Sequence, residues 1–293
     1  MGSRFPKPVL SPKWKRAVSK AYTEPDSSHY NFSHTGFSRQ TVIYEKVLSY
    51  LGSAPADANV LFVGVGADNS NGGTFCASSP FEIAAALDGK GKSGYRMTVL
   101  DVDRSNLEAC KKRKDIFFER YRGSGDRAND VWEDYLQFTK QKGESRILSR
   151  HPFERSADKL LMSAKIPPSF EKKKSSGEVR FVKGDVATVD LKEFGPFDFV
   201  HCINVLYHLE RPDRELADAL VILAVNNLVA NMRTGGILLV DGSHHDTGWN
   251  YDVREHPEIL ENEMRLRLEN SVHTINPLYE NESRYSYLFY RKF

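Results

Sequence analysis

Short runs of apolar, often β-branched residues recur along the chain and predict strands. They are "NVLFVGVG" from Asn59, "YRMTVLD" from Tyr95, "EVRFVKGD" at 178–185 and "FDFVHCIN" from Phe197. Runs that lack alternating polar positions are typical of strands covered on both faces, as in parallel sheets. We therefore expect the runs from Asn59 and Phe197 to be buried strands, the first of them central, and the other two runs to be further strands of the same sheet.

Segments with helical spacing of apolar residues precede, separate and follow these strands. They cover 39–51, the stretch from Ser79, 104–121, Arg214 to Met232 and a stretch near 258–268. Helices that alternate with strands are typical of α/β folds, in which each helix returns the chain to the same edge of the sheet.

The end of the chain has a different pattern, which predicts an antiparallel hairpin. Gly235 and Gly236 are expected to end the helix that precedes the strand "ILLVD", and "SVHTIN" and "RYSYLFYRKF" follow as two strands joined by a turn at Pro277. The predicted fold is thus a Rossmann-like, seven-stranded, mostly parallel sheet with helices on both faces and a C-terminal antiparallel hairpin.

Composition divides the chain into an N-terminal arm and one domain that carries an insertion. Residues 1–38 are rich in Pro, Ser and Lys and are expected to form an N-terminal arm. Residues 39–293 form the α/β domain, with an insertion at about 122–178, because this polar stretch is too long for an ordinary loop.

Charge and cysteine content exclude several classes of protein. The 293 residues include 41 basic and 39 acidic side chains, and a net charge of +2 gives no reason to expect a nucleic-acid partner. Three scattered cysteines indicate a reducing compartment, with the cytoplasm as the expected location.

No run of 18 apolar residues is present, so we expect no membrane segment. No metal site is expected, because His244 and His245 would point to opposite faces of an extended chain and have no third ligand nearby.

The loop after the first predicted strand has the features of a ligand-binding turn. Gly64 and Gly66 allow the backbone to come close to a ligand at the carboxyl end of the strand, where open α/β sheets bind cofactors. Asn69 stands where the dinucleotide fingerprint has its third glycine. A dinucleotide is therefore disfavoured, although glycines at such a turn also have purely structural roles.

Acidic residues follow two further predicted strands. Asp101 could accept hydrogen bonds from both ribose hydroxyls, or it could cap the next helix, a role for which Asp103 is better placed. Asp185 could accept from an adenine amino group while Val186 covers the ring, although an aspartate here could also be an ordinary turn residue. Together the three strand ends predict a nucleoside pocket.

At this point the chain resembles the class I S-adenosylmethionine methyltransferases, and within them the chemotaxis receptor methyltransferases of the CheR type. "FDFVHCINVLYHL" resembles the family's FDxIFCRNVLIYF, "SSPFEIA" its EEPYSIA, "VLDVD" its ATDID and "SHTGFSR" its TxFFR. "GGILLVDGSHH" and the terminal "FYRKF" are similar to GGxLFLGHSE and YRK. The similarity extends in order over residues 30–293.

This resemblance implies S-adenosyl-L-methionine as the cofactor and assigns residues to it. Thr35 and Arg39 would lie near its methionine end or near the methyl acceptor, and Asn204 and Val205 would lie near the sulfonium. It also implies that Asp101 holds the ribose and that Asp185 and Val186 hold the adenine.

The resemblance further implies that Tyr207 and His208 overhang the transferable methyl group. Arg39 would orient a carboxylate acceptor through paired donors, whereas a hydroxyl acceptor would need a base, for which His208 has a suitable pKa. The expected activity is methyl transfer, with a protein carboxylate as the candidate acceptor and with Arg39, Tyr207 and His208 as the catalytic candidates.

Departures from the family pattern keep two other functions open. Ser78 and Ser79 replace a Glu-Glu pair, Ile203 replaces an arginine, and only about 30 residues precede the match. A small-molecule O- or N-methyltransferase and a regulator that binds S-adenosylmethionine without catalysis are the alternatives.

Overall fold

The structure is a computed structural model in which ten strands and four longer helices can be assigned within the described residues. Described are residues 46–65, 80–92, 94–113, 115–121, 146–150, 159–170, 177–203, 205–209, 214–241, 258–275 and 284–293. The strands are β1 (Asn59–Val63), β2 (Tyr95–Asp101), β3 (Asp115–Tyr121), β4 (Arg146–Arg150), β5 (Lys159–Lys165), β6 (Gly177–Lys183), β7 (Phe197–Cys202), β8 (Met232–Asp241), β9 (Leu266–Ile275) and β10 (Arg284–Lys292). The helices are α1 (46–53), α2 (Pro80–Gly89), α3 (Arg104–Lys112) and α4 (Arg214–Ala230).

Seven strands form the main sheet in the order β6-β2-β1-β7-β8-β10-β9. Strands β6, β2, β1, β7 and β8 are parallel, whereas β10 is antiparallel to both β8 and β9. This arrangement confirms the predicted fold, including the C-terminal antiparallel hairpin.

The order of the strands creates a crevice in the middle of the sheet. From β1 the chain moves outward to β2 and β6, and it then returns to the other side of β1 as β7. Open α/β sheets bind ligands where the direction of winding reverses, outside the carboxyl ends of the strands. We call the edge formed by the carboxyl ends of these five parallel strands the carboxyl edge, and the opposite one the amino edge.

Apolar side chains pack on both faces of the sheet, as expected for central strands without alternating polar positions. Leu61, Val200 and Leu238 point to one face, which α4 covers. Phe62 and Leu239 point to the other face, which α1 and α2 cover.

Helix α1 has a defined direction relative to the sheet. The Lys92 ammonium, near the start of β2, donates hydrogen bonds to the carbonyls of Gly52 (2.8 Å) and Ala54 (2.6 Å) at the end of α1. The end of α1 therefore lies at the amino edge. The ring of Tyr50 packs on Phe289 of β10, with centroids 5.3 Å apart. Because the helix ends at the amino edge, its first residues point toward the carboxyl edge.

The predicted helix over 104–121 is wrong in its second half. Helix α3 ends at Lys112, and "DIFFERY" forms β3, which pairs antiparallel with β5 in a second, three-stranded sheet of order β3-β5-β4. Pairing with a distant strand has overridden the local helical pattern, as is common for segments rich in Phe and Ile. The boundaries of the arm and of the insertion at 122–178 stay predictions.

Two predictions near the C-terminus are also wrong. The chain enters β8 at Met232, so Gly235 and Gly236 lie inside the strand and do not end the helix, which stops at Ala230. The helix expected near 258–268 is a single π turn over Ile259–Glu263, and β9 begins at Leu266. Arg265 has a φ of 55°, which is incompatible with a continued helix and therefore ends the turn.

No helix among the described stretches is long and apolar enough to cross a membrane.

Candidate functional site

Backbone hydrogen bonds join the loops that follow β1, β2 and β6 at the carboxyl edge. Gly64 N–H donates to the Leu100 carbonyl (2.8 Å), and Gly184 N–H donates to the Asp101 carbonyl (3.0 Å). These bonds continue the ladders of the parallel strands beyond their last paired residues. The three strand ends thus form one continuous rim.

Gly64 brings this rim into contact with the turn after β7. Its φ is +79°, and a Cβ atom at this position would lie 2.5 Å from Cγ2 of Val205. Only glycine satisfies both the left-handed backbone and the close approach. The β1 loop and the β7 turn therefore meet at the point where the winding of the sheet reverses.

Asp101 is a buried carboxylate that organises the rim. Its Oδ2 accepts the Val65 N–H (2.8 Å) and its Oδ1 accepts the Asp103 N–H (2.8 Å). The amide of Asn106 lies 3.4 and 3.5 Å from the two oxygens. These contacts tie the loop after β1 and the start of α3 to one side chain. Its contact with a ribose stays a prediction.

Asp103 caps α3, as predicted. Its Oδ1 accepts hydrogen bonds from the Ser105 N–H (2.7 Å) and the Ser105 hydroxyl (2.8 Å). The two neighbouring aspartates thus have separate roles, because Asp103 closes the helix while Asp101 joins the loops.

Asp185 shapes the loop after β6. Its Oδ1 accepts the Ala187 N–H (2.8 Å), and its carbonyl accepts the N–H groups of Thr188 (3.0 Å) and Val189 (2.8 Å). Val186 is buried in the core on the α4 side of the sheet. The turn role is therefore present, and the contacts of Asp185 and Val186 with an adenine stay predictions.

Asn227 of α4 supports the same loop and was missed by the sequence analysis. Its side-chain amide donates to the carbonyls of Val186 and Val189, both at 2.9 Å. Its own carbonyl accepts from the Asn231 amide (2.8 Å). A polar residue between the buried Val225 and Leu228 is a signal that could have identified it.

Asp241, the last residue of β8, was also given no role by the sequence analysis. Val240 pairs with Cys202 of β7, and Asp241 pairs with Tyr287 of β10, which places its carboxylate at the carboxyl edge. Burial raises the pKa of the Cys202 thiol well above its usual value, and the negative charge of Asp241 raises it further. That effect shows that the charge lies close to the end of β7.

The described part of the predicted site converges on this edge. Asp101 ends β2, and Gly64, Asp185, Val186 and Val205 lie in the loops after the parallel strands.

Tyr207 and His208 belong to the 3-10 turn Leu206–Leu209 directly after Val205, so their backbone lies at the same edge. The predictions on Thr35, Arg39, Gly66 and Asn204, and the pair His244–His245, lie outside the described residues.

Comparisons with known proteins give structural similarity only. No protein-family model matches the chain, and no curated protein matches it significantly. Among solved structures, the magnesium protoporphyrin IX methyltransferase of Synechocystis PCC 6803 with bound SAM is 11% identical, with a TM-score of 0.46 and full coverage of both chains, 100% each.

Two further structures are similar over most of their length. The N-methyltransferase NodS of Bradyrhizobium japonicum WM9 in complex with S-adenosyl-L-homocysteine is 14% identical (TM-score 0.41, 94% of this chain and 97% of that chain). The 1,6-didemethyltoxoflavin-N1-methyltransferase of Burkholderia thailandensis is also 14% identical (TM-score 0.43, 97% and 92%). At such identities and TM-scores, no activity or substrate is transferred to this chain.

Proposed function

We propose that this protein is an S-adenosyl-L-methionine-dependent methyltransferase. The observation that carries the proposal is the continuous rim at the reversal point of the sheet, where a glycine with no room for a side chain meets Val205 and buried Asp101 joins the loops. Such a rim suits a nucleoside ligand. The C-terminal antiparallel hairpin and the family resemblance of the sequence support the choice of this nucleoside cofactor.

The residues of the rim fit the parts of this cofactor. Asp101 would accept from the ribose hydroxyls, and Asp185 with Val186 would hold the adenine. Gly64 and Gly66 would let the backbone approach the methionine portion. Thr35 would lie near the methionine end or near the methyl acceptor, and Asn204 and Val205 would lie near the sulfonium.

S-adenosyl-L-methionine supplies an activated methyl group, so the protein mainly has to align the acceptor and remove water from it. If the acceptor is a protein carboxylate, as in the CheR-type enzymes, Arg39 orients it through paired hydrogen bonds and no base is needed.

If the acceptor is a small molecule with a hydroxyl or amine, His208 serves as the base for the hydroxyl and Tyr207 lines the approach. Asp241 at the carboxyl edge favours this second candidate, because its carboxylate would repel an incoming carboxylate.

Calorimetric titration with S-adenosylhomocysteine tests the proposal directly. We expect binding at one site per chain and no binding of NAD, because the third glycine of the dinucleotide fingerprint is replaced by Asn69. If S-adenosylhomocysteine does not bind at millimolar concentration, the proposal is wrong.

The nature of the product separates the candidate acceptors. After incubation with S-adenosylmethionine labelled in its methyl group, base treatment releases labelled methanol from a carboxyl ester but leaves N-methyl and ether products intact. Binding of the cofactor without transfer to proteins, amines, alcohols or carboxylates would identify a non-catalytic regulator.

A further inference from the structure

The described part of the carboxyl edge is acidic. Asp101, Asp185 and Asp241 follow or end three of its strands. No Lys or Arg occurs in the described loop residues of this edge, which are 64–65, 101–103, 184–190 and 205–209. Lys183 and Arg104 flank these loops, and both have exposed side chains. Each of these three carboxylates offers an acceptor to a ligand group that carries positive charge or a hydrogen-bond donor.

Asp241 occupies a different part of this edge from the other two aspartates. Asp101 and Asp185 lie on the β2 and β6 side of the reversal point, where the adenosyl group would bind. Asp241 lies on the other side, one strand beyond β7. If the adenosyl group occupies the first side, the reactive methyl group lies above β7 and the acceptor approaches from the side of β8.

The alternation of side chains along β8 determines which face Asp241 takes. Val240 belongs to the α4 side of the core, whereas Leu239 belongs to the α1 side. Successive strand residues point to opposite faces, so Asp241 points to the α1 side, as does its partner Tyr287. Asp241 is partly accessible, in contrast to the five buried residues before it.

We propose that Asp241 faces the methyl acceptor and that the acceptor is an amine or an alcohol, which donates an N–H or O–H hydrogen bond to the Asp241 carboxylate. This inference rests on the proposed function and narrows it. A carboxylate acceptor would instead meet a like charge, which opposes its binding.

Sinefungin provides a probe that needs no knowledge of the acceptor. In this analogue of S-adenosylmethionine, a carbon that bears an ammonium group replaces the methylated sulfur. The ammonium group therefore points to where the acceptor approaches, while the rest of the molecule matches S-adenosylhomocysteine. Calorimetry with both ligands on the full-length protein separates contacts of the ammonium group from contacts of the shared nucleoside.

Asp241→Asn is expected to weaken sinefungin binding about tenfold, which corresponds to the loss of one favourable charge contact. The affinity for S-adenosylhomocysteine should change less than about twofold. Asp241→Glu keeps the charge and should retain most of the preference for sinefungin. Asp57→Asn is the matched control, because Asp57 lies in an exposed turn before β1 at the amino edge, and both affinities should match those of the wild type.

Equal changes of both affinities in Asp241→Asn, or no change, would overturn the inference. Asp241→Ser serves as a second variant if the asparagine variant does not fold, and the ratio of the two affinities is again the readout.

A wild-type protein that binds neither ligand would refute the proposed function itself. Binding of both ligands with an unchanged ratio would refute only the role of Asp241. Methylation of carboxylates as the sole activity would also contradict the inference.

Discussion

Gly64 and Asp101 show how single residues at the carboxyl edge fix the positions of the loops around the proposed site. Gly64 has a left-handed backbone and no space for a side chain, and Asp101 accepts backbone N–H groups on both carboxylate oxygens. Each residue holds two loops together. Substitutions here should therefore change ligand affinity through the position of the loops as well as through direct contact.

Gly64→Ala should destabilise the protein by about 1–3 kcal/mol, because alanine is strained at this φ, and should weaken S-adenosylhomocysteine binding more than about tenfold. The added Cβ would also displace Val205. Urea unfolding and calorimetry measure the two effects. Gly91→Ala is the matched control, since Gly91 has a φ of +66° but no atom within 4 Å of an added Cβ. Equal ligand affinity in both variants would contradict the role of the Gly64 contact.

Asp101→Asn should lower the free energy of unfolding by about 1–3 kcal/mol. An amide N–H would face the N–H of Val65 or of Asp103 and leave a buried donor without its acceptor. Asp103→Asn should be nearly neutral, since asparagine caps helices as well as aspartate does. Comparing the unfolding free energies of the two variants tests this difference. Similar losses from both variants would show that Asp101 does not organise the rim.

At the scale of elements, two helices position the site from outside it. Helix α4 holds the loop after β6 through Asn227, and α1 is attached to the C-terminal hairpin through Tyr50. The Tyr50 hydroxyl is hydrogen-bonded to Glu269 of β9, and Arg291 of β10 donates to the same carboxylate (2.9 Å). The loop that would contact adenine and the helix that follows the arm thus depend on elements distant in sequence.

Asn227→Ala should destabilise the protein by about 1–3 kcal/mol, because two backbone carbonyls lose their donor. It should also lower the affinity for S-adenosylhomocysteine, since the loop at 185–189 is released from α4. Asn226→Ala, at an exposed neighbouring position, should change stability by less than about 0.5 kcal/mol. Unchanged ligand affinity in Asn227→Ala would mean that this loop does not contribute to binding.

Because Tyr50 attaches α1 to the hairpin, the free energy of unfolding should depend on pH in the alkaline range. Burial, followed by the charge and hydrogen bond of Glu269, raises the pKa of Tyr50 from 10.0 to about 12. The neutral phenol is thus favoured in the folded state, so its contribution to stability is complete below pH 10 and is lost as the pH rises toward 12.

Tyr50→Phe removes this titration and isolates its effect. The difference in unfolding free energy between the wild type and Tyr50→Phe should be constant at neutral pH and should decrease between pH 10 and about 12. Urea unfolding across this range measures the difference, and the subtraction cancels the titration of other groups. A difference that does not change with pH would show that Tyr50 titrates equally in the folded and unfolded states.

At the scale of the whole molecule, the strand order places loops from four separate parts of the chain, those after β1, β2, β6 and β7, at the carboxyl edge. A ligand that bridges these loops should stabilise the entire domain, because it binds only the folded state. S-adenosylhomocysteine at 100 times its Kd should add about 2.7 kcal/mol and raise Tm by about 5 °C. Differential scanning fluorimetry measures the shift, and NAD at the same concentration should give none.

Much of the fold could be predicted because each main-sheet strand has a local signature. The apolar runs at β1, β2 and β7 match buried parallel strands, whereas β6 is a partly exposed strand at the edge of the sheet. The cap at Asp103 follows from its position before a helix. Prediction failed at β3, where pairing with β5 overrode a helical pattern. It also failed at β8, where Gly235 and Gly236 lie inside the strand.

The sequence by itself determined the class of fold and the residue types at the strand ends, because hydrophobic period and strand-end glycines and acids are local properties of the chain. Only the tertiary structure decided which of these residues lie together. The contact of Gly64 with Val205, the two hydrogen bonds from Asn227 and the place of Asp241 beside β7 all join segments far apart in sequence. Such contacts depend on strand order and register, which the spacing of residues along the chain does not specify.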